Sequence, residues 1–280
     1  SAASDVYKRQ MEVIALVKRK EYLHRLIQWK DEQLIKVVTG IRRCGKSTML
    51  MQYQEWLKDN NISDEQIISI NFEDLEYEEL QDYQKLYDYL KHRLCKGKMT
   101  YIFLDEIQKV PSFEKVVDSL YIKANVDIYI TGSNAYMLSG DLATLLTGRY
   151  VEIKMLPLSF KEFLEICKMD QERGLTEYMR VGGLPYIATM DRTQEKLETY
   201  LEGIYNTVIV KDIEDRQARK EKSPEKRKIS DIFLLKTIAK YLSGVIGNPI
   251  SVRSITDYLS SNGRKISPNT VSDYVEALTE

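Results

Sequence analysis

Gly40-Ile41-Arg42-Arg43-Cys44-Gly45-Lys46-Ser47-Thr48 sits between a short apolar run, Leu34–Thr39, and a helix-forming segment, Thr48–Lys58. It fits G-x-x-x-x-G-K-[ST], the phosphate-binding loop. Such a loop surrounds polyphosphate with backbone N–H groups at a helix N-terminus, where unpaired amides and the helix dipole favour anions. All nine residues, Gly40 to Thr48, are therefore candidate nucleotide contacts. Gly40 and Gly45 allow a backbone path that a Cβ would obstruct. Lys46 is the candidate for the β/γ-phosphates and Ser47 for Mg²⁺. A chance match would occur on the order of 1% of the time in a chain of this length. The strand-before, helix-after context lowers that figure.

Four further strands are predicted. Ile67–Phe72 is followed by an acidic stretch, Glu73 to Glu79, which reads as a solvated surface, with a metal- or partner-facing Glu73 or Asp74 as the alternative. Tyr101-Ile102-Phe103-Leu104 then runs into Asp105-Glu106. Continuous apolar character suits a strand buried on both faces of a parallel sheet, and ligands bind at the C-terminal ends of such strands. An apolar run ending in Asp-Glu is a weak signal alone. About 60 residues after a phosphate loop, it reads as a Walker B element. Asp105 is the candidate for Mg²⁺, and Glu106 for orienting or deprotonating the attacking water. Asp127–Thr131 ends in Gly132-Ser133-Asn134, where Ser133 or Asn134 is placed to sense the γ-phosphate; helix capping is the other use of these residue types. Arg149 heads the fifth strand, Arg149–Ile153. It is a candidate to reach phosphate directly or across a subunit interface, against an ordinary surface salt bridge.

The helices predicted around these strands are Lys20–Trp29, Tyr83–Leu94 and Phe113–Ala124. The first lies where a segment often covers the adenine in domains of this kind; core packing is the alternative. With one strand between the loop strand and the Walker B strand in sequence, the order is that of the additional-strand class of P-loop ATPases. The fold class expected is α/β: a P-loop NTPase parallel sheet with a helical lid, then a partial winged-helix-like all-α module.

Composition excludes several classes. The 280 residues carry a net charge of −1, so no global polyanion-binding signature exists. No apolar run approaches the ~20 residues of a membrane span, and no secretory signal is visible. Cys44, Cys95 and Cys167 are far apart, odd in number and joined by two histidines only. A reduced cytoplasmic protein without a zinc site is expected. Ser1–Gln10, SAASDVYKRQ, matches the translation of a transposase adapter used for sequencing libraries, so residues 1–10 are expected to be non-native. The chain is also expected to be truncated after Glu280.

Several stretches together resemble bacterial and archaeal AAA-type ATPases of the STAND-related group, commonly described only as ATP-binding proteins. They are K-R-K-E-Y-L-H-R-L, V-V-T-G-I-R-R-C-G-K-S-T, I-N-F-E-D, Y-I-F-L-D-E-I-Q, I-T-G-S-N-A, L-T-G-R-Y-V-E-I, L-P-L-S-F-K-E-F and V-G-G-L-P; these stretches lie between Lys18 and Pro185, and the resemblance as a whole spans roughly residues 18 to 278. The resemblance implies ATP and Mg²⁺ as ligands. It also implies that Gly183-Leu184-Pro185 is the G-x-P element of a lid whose proline lies against the nucleotide base, with a helix-breaking turn as the alternative. Similar proteins usually continue into a nuclease-like C-terminal domain, and no nuclease assignment rests on this chain.

The expected organisation is an ATPase core over 11–158, a helical lid over 159–215, a basic linker over 216–228 and the winged-helix-like module over 229–280. The lid helices are predicted at Phe160–Met169, Thr176–Val181 and Lys196–Val210. The linker holds seven basic and two acidic residues. The module's helices are predicted at Asp231–Leu242, Val252–Ser260 and from Pro268, with Ser267 as cap. Residues 229–280 hold five basic and five acidic residues, and the third helix carries Asp273 and Glu276 but no Lys or Arg. Because a DNA-reading helix sits on basic phosphate contacts, a protein partner or homo-oligomer is favoured over DNA. The functions weighed are Mg-ATP binding with hydrolysis driving a conformational switch, a non-hydrolysing ATP/ADP signalling switch, and an ATP-controlled DNA-binding regulator. Cys44, if exposed without nucleotide, would be protected from alkylation by ATP.

Overall fold

The computed structural model describes residues 18–132, 146, 148–207 and 231–279. Five parallel strands, β1 (Ile35–Gly40), β2 (Ile67–Asn71), β3 (Thr100–Asp105), β4 (Val126–Thr131) and β5 (Tyr150–Met155), form one sheet in the order β2-β3-β4-β1-β5. Every residue of β1 and β3 is buried, as continuous apolar strands require between two helical layers. At the edges the pattern alternates: Ile68 and Ile70 of β2, and Ile153 and Met155 of β5, point inward.

Helices cover both faces. On one, α1 (Lys20–Gln28) and α2 (Lys46–Asp59) bury Leu26, Met49, Leu50, Tyr53 and Leu57 against Val38, Phe103 and Tyr129. On the other, α3 (Tyr83–Arg93) and α4 (Phe113–Tyr121) bury Leu86, Leu90, Val116, Val117 and Leu120 against Ile35, Ile102 and Ile130. Asp82 starts α3 by accepting the N–H groups of Gln84 and Lys85. The acidic stretch after β2 is largely exposed, and Asp74 in it caps a 3-10 turn, Leu75–Gln81. That is the solvated surface expected of it.

Three helices follow β5: α5 (Phe160–Cys167), α6 (Gln171–Val181) and α7 (Pro185–Thr189). Ser159 and Glu162 form a capping box at the start of α5. Helix α6 begins five residues before its expected start, because Asp170 caps it. Gly174 lies inside it, and a Cβ there would meet the Leu164 side chain, which would have to move. Pro185 opens a helix rather than breaking one, with its ring at the first position, where no N–H is needed.

The chain divides into two compact units, Ser1–Leu197 and Glu198–Glu280. The division falls within α8 (Gln194–Tyr205), earlier than the basic stretch 216–228, which lies outside the described residues. In the second unit α9 (Ile232–Gly244), α10 (Val252–Ser261) and α11 (Pro268–Thr279) close around Leu234, Leu235, Ile238, Ile255, Leu259, Val271 and Tyr274. Among its described residues the unit contains helices and no strand.

At the N-terminal end of the sheet, Lys36 on β1 and Asp127 on β4 form a buried ion pair, Nζ to Oδ1 2.6 Å. Asp127 also accepts from the Asp31 N–H and the Tyr129 hydroxyl, both at 2.9 Å. Tyr129 in turn meets the Tyr53 hydroxyl of α2 at 2.9 Å. Burial pushes the Asp127 carboxyl up, and the Lys36 charge and hydrogen bonds pull it down. Removing one partner would leave the other charge buried alone, which costs about 3–5 kcal/mol. Asp127→Ala is therefore expected to lower the urea unfolding free energy by roughly that amount, with Lys36→Met in the same chain recovering part of it. An unchanged midpoint in Asp127→Ala would contradict the role given to the pair.

Candidate functional site

Because all five strands run the same way, the loop after β1 and the carboxylates after β3 open on one edge of the sheet, with β4 between them. The loop turns tightly. A Cβ on Gly40 would lie 2.4 Å from the Met155 carbonyl oxygen. Arg43 takes a left-handed conformation at φ 64°, and Gly45, at φ 100°, caps α2. Lys46 is consequently the first helical residue, two earlier than expected. Its side chain is buried and donates to the carbonyls of Gly40, 3.1 Å, and Ile41, 3.4 Å. Ile41 and Arg43 are exposed; Arg42, Ser47 and Thr48 are half-buried.

Ser47 hydrogen-bonds the carboxylate of Asp105, which is 7% exposed. Burial pushes the Asp105 carboxyl up; the bonds from Thr131 and Ser47 and the Lys46 charge oppose this, and Glu106 adds to the rise. Thr131, the last residue of β4, donates its hydroxyl to Asp105 Oδ1 and accepts the Glu106 N–H at 3.0 Å. One buried hydroxyl therefore fixes both Asp105 and Glu106. Glu106 itself sits at φ 56°, in the left-handed region, and its carboxylate accepts from the Gln108 amide. An oxygen-only donor set of hydroxyl and carboxylate suits a hard divalent cation such as Mg²⁺.

Pro185 comes to the loop from the other side. Its Cγ would stand 3.8 Å from a Cβ on Gly45. The approach depends on Gly183, whose Cβ would lie 2.4 Å from the Leu158 carbonyl oxygen. The Leu158 N–H donates to the Gly183 carbonyl at 2.6 Å, and the Tyr178 hydroxyl holds the Leu158 carbonyl at 2.7 Å. The two motifs L-P-L-S-F and G-G-L-P thus pack on each other beside the phosphate loop.

For Cys44 the condition of exposure is not met, and for Arg149 the salt-bridge alternative is the one seen within the chain. Cys44 is fully buried without nucleotide, and burial pushes its thiol up, so it is not an exposed reporter. Its contribution to the loop is the main chain. Arg149 cannot reach the loop of its own chain: β5 pairs with Ile35 opposite Tyr150 and Gly40 opposite Met155. That places Arg149 about 20 Å from Gly40 at ~3.3 Å per residue. Its guanidinium pairs with Asp118 at 3.0 Å. Ser133 and Asn134 lie outside the described residues.

Sequence reasoning missed Thr131, Arg19 and Glu162. Thr131 carried a usable signal, a polar residue closing an apolar strand, as Asp105 does. Glu162 carried half of one, in the Ser159-x-x-Glu162 capping box. Arg19 reads only as one charge in Lys18-Arg19-Lys20.

Sheet order, loop and carboxylates define a P-loop ATPase fold of the AAA type. Residues 32–164 match the family model described as AAA domain. It is similar to an uncharacterized protein of Haemophilus influenzae, 38% identical over 270 residues, covering 94% of this chain and 64% of that protein. An uncharacterized protein of Methanocaldococcus jannaschii is 29% identical over 291 residues, covering 96% and 60%. The chain thus spans less than two thirds of the length of these curated relatives. Among solved structures, a Walker-type ATPase of Pyrococcus abyssi shares the fold at TM-score 0.53 and 18% identity, covering 94% of this chain and 89% of that one. No helix among the described residues is long and apolar enough to cross a membrane.

The buried thiol gives a direct check. Under native conditions iodoacetamide is expected to label Cys95 and Cys167 well before Cys44, as read by peptide mass mapping, with Cys44 reacting only on unfolding. Equal rates at the three positions would overturn the placement of Cys44.

Proposed function

We propose that the chain binds Mg-ATP and hydrolyses it, and that the nucleotide state moves α5–α7, acting as a lid, in a cytoplasmic protein. The observation that carries this reading is the convergence of Lys46, the Ser47–Asp105 hydrogen bond and Glu106 on one edge of the sheet, with Pro185 beside the loop. Lys46 would exchange the carbonyls of Gly40 and Ile41 for the β/γ-phosphates. Ser47 and Asp105 would hold Mg²⁺, which when bound neutralises charge on the phosphates. Glu106, released from Gln108, would orient the attacking water and accept its proton. Asn134 is the proposed γ-phosphate sensor. Arg149 is retained only as a residue acting on a neighbouring copy, once freed from Asp118. The G-x-P contact of the STAND-related group is consistent with Pro185 lying at the base.

The second reading, a non-hydrolysing ATP/ADP switch, shares every one of these residues except the use of Glu106. Turnover separates the two. Glu106→Gln is expected to lower ATP hydrolysis at least ~100-fold while keeping ATP affinity, and Lys46→Ala to weaken both. If turnover by the unmodified chain equals that of Lys46→Ala, hydrolysis is excluded.

For the second unit, a winged-helix-like module that docks a protein partner or a second copy is favoured over DNA, given the absence of Lys and Arg from α11. Duplex DNA is expected not to bind measurably at 50–100 mM salt. Affinity that falls steeply with added salt would instead identify a DNA-binding regulator.

A further inference from the structure

Arg19 precedes α1 and is 3% exposed, an unusual position for a guanidinium. Its five N–H donors are all used. Nη1 donates to the carbonyls of Cys44, 3.2 Å, and Leu156, 2.6 Å. Nη2 donates to the Pro157 carbonyl, 3.2 Å, and to Glu162 Oε2, 3.0 Å; Nε donates to Glu162 Oε1, 2.9 Å. The guanidinium carbon lies 4.5 Å over the Tyr22 ring, whose hydroxyl accepts the Leu156 N–H at 3.1 Å. Burial acts to raise the Glu162 carboxyl, but Arg19 and the Ser159 cap outweigh it and hold the group below its ordinary value, so it is ionised at neutral pH. Lysine offers three donors on a point charge and could not serve this set.

One of those acceptors belongs to the phosphate loop. The Cys44–Gly45 peptide is trans and planar, so its C=O and N–H point in opposite directions. Holding the Cys44 carbonyl on one side therefore aims the Gly45 N–H to the other, the side on which the loop would receive phosphate. The remaining acceptors lie where β5 passes into α5 and on α5 itself. From there the path returns to the loop through Leu158, Gly183 and Pro185, which ends beside Gly45.

We propose that Arg19 is a positioning residue that presets the Gly45 amide for phosphate and couples that setting to the first lid helix through Glu162. The proposal rests on the nucleotide-binding reading above and adds to it the residue that joins loop and lid. It touches no phosphate itself; it acts through the Cys44–Gly45 peptide on one side and the Glu162 carboxylate on the other.

The test uses the full chain and its Arg19→Lys, Glu162→Gln, double and Lys46→Ala variants. Two readouts are taken: affinity for fluorescent ATP and ADP analogues, and hydrogen exchange of a peptide spanning residues 40–48 without nucleotide. Arg19→Lys is expected to weaken ATP binding about tenfold or more, equivalent to ~1.4 kcal/mol, and to speed exchange in the loop peptide. Glu162→Gln is expected to change the ratio of ATP to ADP affinity by about threefold or more, and to add nothing in the double variant, as coupled residues do. Folded Arg19→Lys protein with unchanged affinity and unchanged loop exchange would overturn the proposal. If Arg19→Lys does not fold, Glu162→Gln decides: an unchanged affinity ratio overturns it, a shifted one supports it. Should the unmodified chain bind nucleotide no better than Lys46→Ala, the nucleotide reading fails by itself. Faster loop exchange in Arg19→Lys would then still support the hold on Cys44, and unchanged exchange would overturn it.

Discussion

Parallel pairing of β4 between β1 and β3 is the constraint from which the site follows. In a parallel sheet every C-terminal end opens on the same edge, and strand order decides which ends are neighbours. Here β4 delivers Thr131 between the strand that carries the phosphate loop and the strand that carries Asp105. Its hydroxyl can then serve Asp105 and Glu106 at once. Had β3 paired directly with β1, no third strand end would have stood between Ser47 and the carboxylates. The opposite edge of the sheet is held by another kind of contact, the Lys36–Asp127 pair and the tyrosines joined to it. One end of β1 is thus locked by buried charge, while the other runs into the loop that carries Lys46.

The chain's alternation of apolar runs and helical segments was enough to place all five strands within a residue or two of their observed bounds, because central strands buried on both faces leave a dense apolar signature. The phosphate loop and Asp105-Glu106 were legible for a different reason: their chemistry needs particular residue types at fixed spacing. Pro185 came from the resemblance, and it stands beside Gly45. Arg19 was not legible. A buried guanidinium and a solvated one have the same letter, and only tertiary contacts as far as 143 residues away distinguish them. The inward turn of Cys44 was not legible for the same reason, since a loop residue can bury its side chain and offer only its backbone. Arg149 misled because position at the head of a strand says nothing about distance until parallel direction is known.

The segment after β5 shows how a short motif can be structural and site-forming together. Leu156 and Pro157 give up their carbonyls to Arg19, and Leu158 exchanges hydrogen bonds with Gly183 and Tyr178. Leu158 is buried, so its N–H and C=O would otherwise be unsatisfied, which costs about 1–3 kcal/mol each. The same contacts bring Pro185 to the loop. Satisfying the backbone and shaping the site are one arrangement, and this is why L-P-L-S-F and G-G-L-P belong together in the chain although about 25 residues separate them.

Glu106 stands in a left-handed conformation that a glycine would occupy without strain and that a non-glycine residue holds at about 1–3 kcal/mol. The fold therefore tolerates a standing local penalty at the one position whose side chain would handle the water. Evolution toward a silent sensor would feel two pressures at this residue that act in the same direction: release from selection on turnover, and a gain in thermodynamic stability on replacement by glycine or asparagine.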